Sequence, residues 1–318
     1  MADPAAAPAA PDPGLVALLG ALKRAGYRFV TPTPATHERV VSRPGKARAR
    51  DLRDAFGWNL PFEPGLLEPA LFELLERAGA LERTDGLLRS KLRVASLGDW
   101  LFLHSGFPTS QRDSVFFGPD SYRFAGLIRA ETRDLGLGEG AVAVDIGGGT
   151  GVGAMLAASL FPGASVSMTE INPEAIRLAR ANAAAAGISI QIFEGDDLAG
   201  IGAPIHLAVA NPPYIADQEK RTYRDGGGAL GTGMPLAMAR MAGERLAAGG
   251  RLILYAGSPI VDGDDHLHSA LLDLAAGQGL ALRYRELDPD IFGEELDRAA
   301  YAEVERIALV AAILDRPA

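Results

Sequence analysis

The chain of 318 residues contains no cysteine, which removes disulfides, thiolate-held zinc and a cysteine nucleophile together. It has no apolar run near 18 residues and no basic n-region followed by an apolar h-region. Neither a membrane span nor secretion is expected, and a cytoplasmic setting is. Aromatic residues make up only 7% of the chain, so a core must be built mainly from Ala, Leu, Val and Ile. No group of His, Asp and Glu has metal-ligand spacing. His266 and His268 lie two apart and cannot share a helix face, so no metal site is expected.

The length suits two domains of ordinary size or one enlarged domain. The net charge of −9 is unevenly spread: residues 14–110 carry 14 basic against 10 acidic side chains, and residues 111–318 carry 17 against 28. Six of the basic residues (Arg39, Arg43, Lys46, Arg48, Arg50 and Arg53) crowd one stretch. They read either as a solvated face or as a patch for an anionic partner.

Residues 1–13 are rich in Ala and Pro without periodicity and read as a disordered tail. Helical spacing follows over Leu15 to Ala25, Arg48 to Phe56 and Leu66 to Ala78, with Gly26, Gly57 and Gly79 as stops. Two alternating stretches, Leu87 to Ala95 and Trp100 to His104, are joined by Leu97-Gly98-Asp99. Helices followed by a β-ribbon give residues 14–110 the outline of a small winged-helix-like domain, a module that docks substrate or partner. From Ala141 onward short apolar strands alternate with Ala/Leu-rich helices, which predicts a doubly wound α/β sheet covered on both faces over residues 111–318. Strands are expected at 141–145, 165–169, 188–193, 205–210, 251–256, 280–286 and 304–314, with an antiparallel final pair. Helices are expected near 151–160, 173–186, 234–247 and 264–277.

The stretch Val142 to Gly151 is a buried strand running into a glycine turn and then a helix. Gly147, Gly149 and Gly151 let the backbone approach a ligand closely. Taken as Gly149-x-Gly151-x-x-Ala154 with Glu170 downstream, the segment also satisfies a dinucleotide fingerprint, so an NAD-dependent oxidoreductase stays open at this point. Asp145 discriminates. A pyrophosphate needs positive potential beneath it, and a carboxylate at the strand end would repel it. S-adenosylmethionine (SAM) has no phosphate and carries a sulfonium and an ammonium, which an acid favours. Glu170 is placed to accept from ribose hydroxyls, Asn172 to cap the following helix beside it, and Asp196 or Asp197 to accept from an adenine amino group.

Asn211-Pro212-Pro213-Tyr214 follows the fourth strand, at the carboxyl edge where open α/β sheets hold ligands. Consecutive prolines stiffen the loop and leave only acceptors, the Asn211 side-chain oxygen and the Pro212 carbonyl. Together they can hold both hydrogens of an –NH₂ group and turn a conjugated nitrogen's lone pair toward a methyl donor. Tyr214 offers a flat face to a planar group.

These residues resemble the N-methyltransferases carrying an Asn-Pro-Pro-Tyr motif, especially the small-domain group that includes protein-glutamine methyltransferases acting on peptide-chain release factors. Adenine-N6 methyltransferases carry the same motif. The resemblance covers about residues 112–315. It implies SAM as cofactor, and by it Pro119, Asp120 and Ser121 would border the cofactor's methionine end. Leu254-Tyr255-Ala256 stands where the glutamine enzymes' fifth strand typically ends in Glu, and the glycine-rich loop 226–233 lacks their Glu-Pro element. A protein glutamine amide is the favoured acceptor; a nucleic-acid base or a small molecule stays open, as does a second copy of the chain as partner.

Overall fold

The computed structural model describes residues 10–109, 111–202, 204–216, 224–228 and 230–318. The tail reading of residues 1–9 falls outside them, as does Ala229 of the loop 226–233. Asp12 and Pro13, included in that tail, open the first helix: Asp12 caps α1 (Pro13–Arg24) by accepting from Gly14 N–H at 2.9 Å. Next come α2 (Pro34–Val41), α3 (Leu52–Phe56) and α4 (Pro69–Arg77). Helix α2 was not expected from its polar, proline-flanked sequence, and α3 is shorter than its periodicity suggested. Two antiparallel hairpins follow: β1 (Leu81–Thr84) with β2 (Leu87–Ser90), and β3 (Leu92–Leu97) with β4 (Trp100–Ser105). The single strand expected over 87–95 is therefore broken at Lys91, whose N–H donates to Ala80 O instead of continuing a ladder.

Helix α5 (Pro119–Glu131) precedes the main sheet. The sheet's elements are β5 (Val142–Ile146), α6 (Val152–Leu160), β6 (Ser165–Glu170), α7 (Pro173–Ala186), β7 (Gln191–Glu194), β8 (Ile205–Ala210) and α8 (Gly233–Arg245). They continue with β9 (Leu246–Val261), the short β10 (Asp264–Asp265), α9 (His266–Gln278), β11 (Ala281–Asp288) and β12 (Arg306–Asp315). The strand order is β7-β6-β5-β8-β9-β12-β11, with β12 antiparallel to both neighbours and β10 attached to the edge of β9. All seven expected strands and the antiparallel final pair are there. The chain reverses its direction of travel across the sheet between β5 and β8, so a crevice opens at their carboxyl ends.

Strand β5 is buried along Ala143, Val144, Asp145 and Ile146, as a strand covered on both faces must be. The main core joins these strands to the inner faces of α5, α6, α8 and α9. A second core gathers the N-terminal helices and hairpins, and it includes Ala175, Leu178 and Ala181 of α7. Helix α7 is thus apolar on two sides. It begins as expected with Asn172 as N-cap and Pro173 at the first position, and it ends at Gly187 with φ +69°. No helix among the described residues is long and apolar enough to cross a membrane.

Candidate active site

One cavity of about 510 Å³ lies at the carboxyl ends of β5, β6 and β8. Its wall brings together Gly147, Gly149, Asp145, Glu170, Asn172, Asp196, Asn211, Pro212, Pro213, Tyr214, Asp120 and Ser121 from the sequence-predicted set. Three predicted residues lie off the wall. Pro119 is the first residue of α5, Gly151 caps α6 in a left-handed conformation with φ +87°, and Asp197 is exposed and accepts from Ala199 N–H at 2.9 Å. Of the two candidate adenine-end acids, Asp196 is the one on the cavity wall.

The glycine turn is held by two carboxylates from below. Gly149 N–H donates to Glu170 Oε2 at 2.8 Å, and Ile171 and Asn172 N–H both donate to Oε1 at 2.9 Å. Oε1 thus already accepts two N–H bonds, while Oε2 accepts one and retains acceptor capacity for a ligand hydroxyl. Asp145 is 2% exposed, and its Oδ2 accepts from Ala154 N–H at 2.9 Å in the first turn of α6. Burial pushes this carboxyl up to about 7; the nearby Glu170 charge adds to the rise, while the α6 N–H groups pull the other way. Asp145 therefore braces the turn from behind as well as lining the cavity. Gly153, overlooked in the sequence, is required by that brace: a Cβ there would sit 2.6 Å from Asp145 Oδ2.

At the acceptor side the Asn211 side chain makes no hydrogen bond with a described residue. Tyr214 is 6% exposed, with its hydroxyl donating to Asp120 Oδ2 at 3.1 Å and its ring against Gly257, where a Cβ would meet Tyr214 Cδ2 at 2.5 Å. Phe292 adds a further wall, 6.1 Å from the Tyr214 ring centroid and with φ +56°, an uncommon conformation for so bulky a residue. It belongs to a segment anchored by two ion pairs, Arg123 with Asp288 at 3.3 Å and Arg224 with the buried Glu295. Nothing in local sequence pattern marks Phe292, since it reaches the cavity by a tertiary path. Asn182 of α7 was also overlooked. It is fully buried, accepts from Leu103 N–H at 2.8 Å and donates to Thr150 O at 3.1 Å, so it ties β4 to the glycine turn.

The wall carries four acids (Asp120, Asp145, Glu170 and Asp196) and, among the described residues, one basic side chain, Arg224, which is paired with Glu295. Such a lining suits a cationic ligand and opposes a pyrophosphate. SAM fits it in charge, in the hydroxyl acceptors at Glu170 and in the close backbone approach at the turn.

Sheet order, glycine turn and acid-lined crevice define the class: a SAM-dependent methyltransferase domain of the doubly wound α/β type. Residues 132–270 match the methyltransferase small domain family. Among curated relatives, a release factor glutamine methyltransferase of Deinococcus radiodurans is 42% identical over 79 residues, 25% of this chain and 28% of that protein. One of Cereibacter sphaeroides is 28% identical over 264 residues, 71% of this chain and 92% of that protein. The chain spans 28%, 30% and 49% of the lengths of the first three such relatives. A solved methyltransferase of Pyrococcus furiosus has TM-score 0.44 and 16% identity, with 64% of this chain and 89% of that one covered.

Proposed function

We propose that the chain transfers a methyl group from SAM to a planar nitrogen, with a protein glutamine amide as the acceptor. The observation that carries the reading is the Asn211 side chain, without a hydrogen-bond partner among the described residues and set at the end of β8 in the same cavity as the acid-braced glycine turn. When bound, SAM supplies an electrophilic methyl on a good leaving group. The chain's own residues bind and orient. Glu170 accepts from ribose hydroxyls, Asp196 accepts from the adenine amino group, and Asn211 Oδ1 with the Pro212 carbonyl holds the acceptor's two N–H hydrogens. Held so, the amide nitrogen presents its lone pair, and positioning replaces a strong base as the main source of rate.

Two supports favour a protein over a nucleic acid. The curated relatives named above are glutamine methyltransferases, and one of them aligns over 92% of its length. The basic run is also partly spent within the fold: Lys46 pairs with Asp54 at 2.6 Å, Arg48 with Glu63, and Arg50 donates to Gly45 O at 2.6 Å. Residues 14–110 would then dock the target protein as a small domain of their own.

Incubation with methyl-labelled SAM in a cell extract, followed by separation of protein, nucleic acid and small molecules, tests the acceptor. Label is expected in protein, on a glutamine side chain by mass spectrometry, and peptide-chain release factors are the first purified substrates to try. Label confined to nucleic acid or metabolites would overturn the acceptor, and no label anywhere would overturn the activity.

A further inference from the structure

We propose that Asp120 and Tyr255 are positioning residues for this methyl transfer, holding Tyr214 and through it the Asn211 side chain. The proposal rests on the function proposed above. Three elements distant in sequence meet at the Asp120 carboxylate: the first turn of α5, the loop after β8 and the middle of β9. Tyr255 hydroxyl donates to Oδ1 at 2.7 Å, and Tyr214 hydroxyl donates to Oδ2 at 3.1 Å. Arg123 Nη1 stands 3.6 Å from Oδ1 and supplies the balancing charge. Asp120 is 7% exposed, Tyr214 6% and Tyr255 0%, so water cannot substitute for these bonds.

The arrangement exceeds what packing requires. Phenylalanine would fill the space of either tyrosine, and a buried carboxylate is costly unless its oxygens are satisfied. Burial pushes both phenols above their ordinary range, so each stays protonated and able to donate. Asp120 lines the cavity, whereas Tyr255 does not, so Tyr255 reaches the reacting space only through Asp120. Tyr214 is three residues from Asn211, and the two prolines between them have fixed φ. A Tyr214 ring held against Gly257 and tied at its hydroxyl therefore sets where Asn211 points. Misplacement of an orienting group by even 1 Å is expensive in rate.

The experiment combines turnover with two readouts that need none. In Tyr255→Phe, kcat should fall about tenfold while the KM and dissociation constant for SAM stay within about threefold. Adding Tyr255→Phe to Tyr214→Phe should cost little more than Tyr214→Phe alone. Unchanged kcat in a folded Tyr255→Phe, or fully additive losses, would overturn the proposal. Asp120→Asn keeps the buried volume and serves as the second variant, in case the first fails to fold. In ¹³Cζ-tyrosine NMR of the full chain, the Tyr214 resonance, assigned by its loss in Tyr214→Phe, should shift in Asp120→Asn; an unmoved resonance would also overturn the clamp. The NMR and SAM-binding readouts survive if the wild type methylates nothing, a result that would strike the proposed function alone.

Discussion

Asn211 and His37 show how differently single buried or half-buried groups are tied to the fold. Asn211 has no described hydrogen-bond partner, so its removal leaves the surrounding structure intact. Asn211→Ala should bind SAM within about threefold of wild type and lose at least about 100-fold in methyl transfer, an effect of roughly 3 kcal/mol on the barrier. Calorimetric SAM titration and single-turnover assays separate the two. His37, by contrast, is 1% exposed, its Nε2 has no partner among the described residues, and Arg93 Nη2 stands 3.3 Å from its Nδ1. Burial first, and the Arg93 charge second, hold its imidazole down to about 4. The unfolded chain takes up that proton below about pH 6.5 and the folded chain does not until near 4. The His37 contribution to stability is therefore full above about pH 6.5 and falls as pH drops toward 4, by ~2 kcal/mol at pH 5. Asp145, raised to about 7, acts with the opposite sign in the same window, since its protonated form is the one that folding favours. Urea denaturation at pH 7 and pH 5 should show that acidification changes stability less unfavourably in His37→Gln than in wild type, the Asp145 contribution being common to both; equal changes would remove His37 as a contributor.

Helix starts and stops were the most legible elements. Asn172-Pro173 and Gly187 bound α7 because capping is local chemistry, and the apolar strands β5, β6 and β8 stand within a residue or so of their sequence patterns. Helix α5 was not anticipated, because Gly118-Pro119-Asp120 looks like a loop until Ser121 Oγ is seen accepting from Gly118 N–H at 3.3 Å. Strand β9 runs through Ala247 to Gly250, residues that look like a turn, because Leu246 pairs with Ile205 of β8 and Gly249 and Gly250 exchange backbone bonds with Arg316, contacts beyond any local signal. The glycine turn, Asp145, Glu170 and Asn211 were legible in the site, whereas Phe292, Gly153, Tyr255 and Asn182 act across the fold and have no spacing to betray them. Gly153→Ala tests the brace at this scale. The substitution favours helix by about 1 kcal/mol in isolation, yet its methyl would displace the Asp145 carboxyl from Ala154 N–H. Thermal denaturation should show a lower midpoint, and SAM affinity should drop about tenfold or more. A stabilised variant with unchanged affinity would show that Asp145 does not support the turn.

At the scale of the whole molecule, charge selects the ligand before shape does. The acids of the cavity wall belong to the half of the chain with 28 acidic against 17 basic residues. SAM at 100 times its dissociation constant should add about 2.7 kcal/mol to folding stability and raise the melting temperature, while NAD at the same concentration should leave it unmoved. The reverse pattern would overturn the cofactor assignment.

The doubly apolar α7 has a consequence for anyone dissecting the chain. Ala175, Leu178 and Ala181 face the N-terminal core, and Asn182 spends its amide on Leu103. A fragment beginning at residue 111 would carry the complete cavity floor but bare that stripe and orphan that amide. Such a fragment should be recovered in inclusion bodies, or as soluble aggregates by light scattering. Co-expression with residues 1–110 as a separate polypeptide should rescue it, so the two halves would behave as a split protein whose reassembly can be scored by solubility.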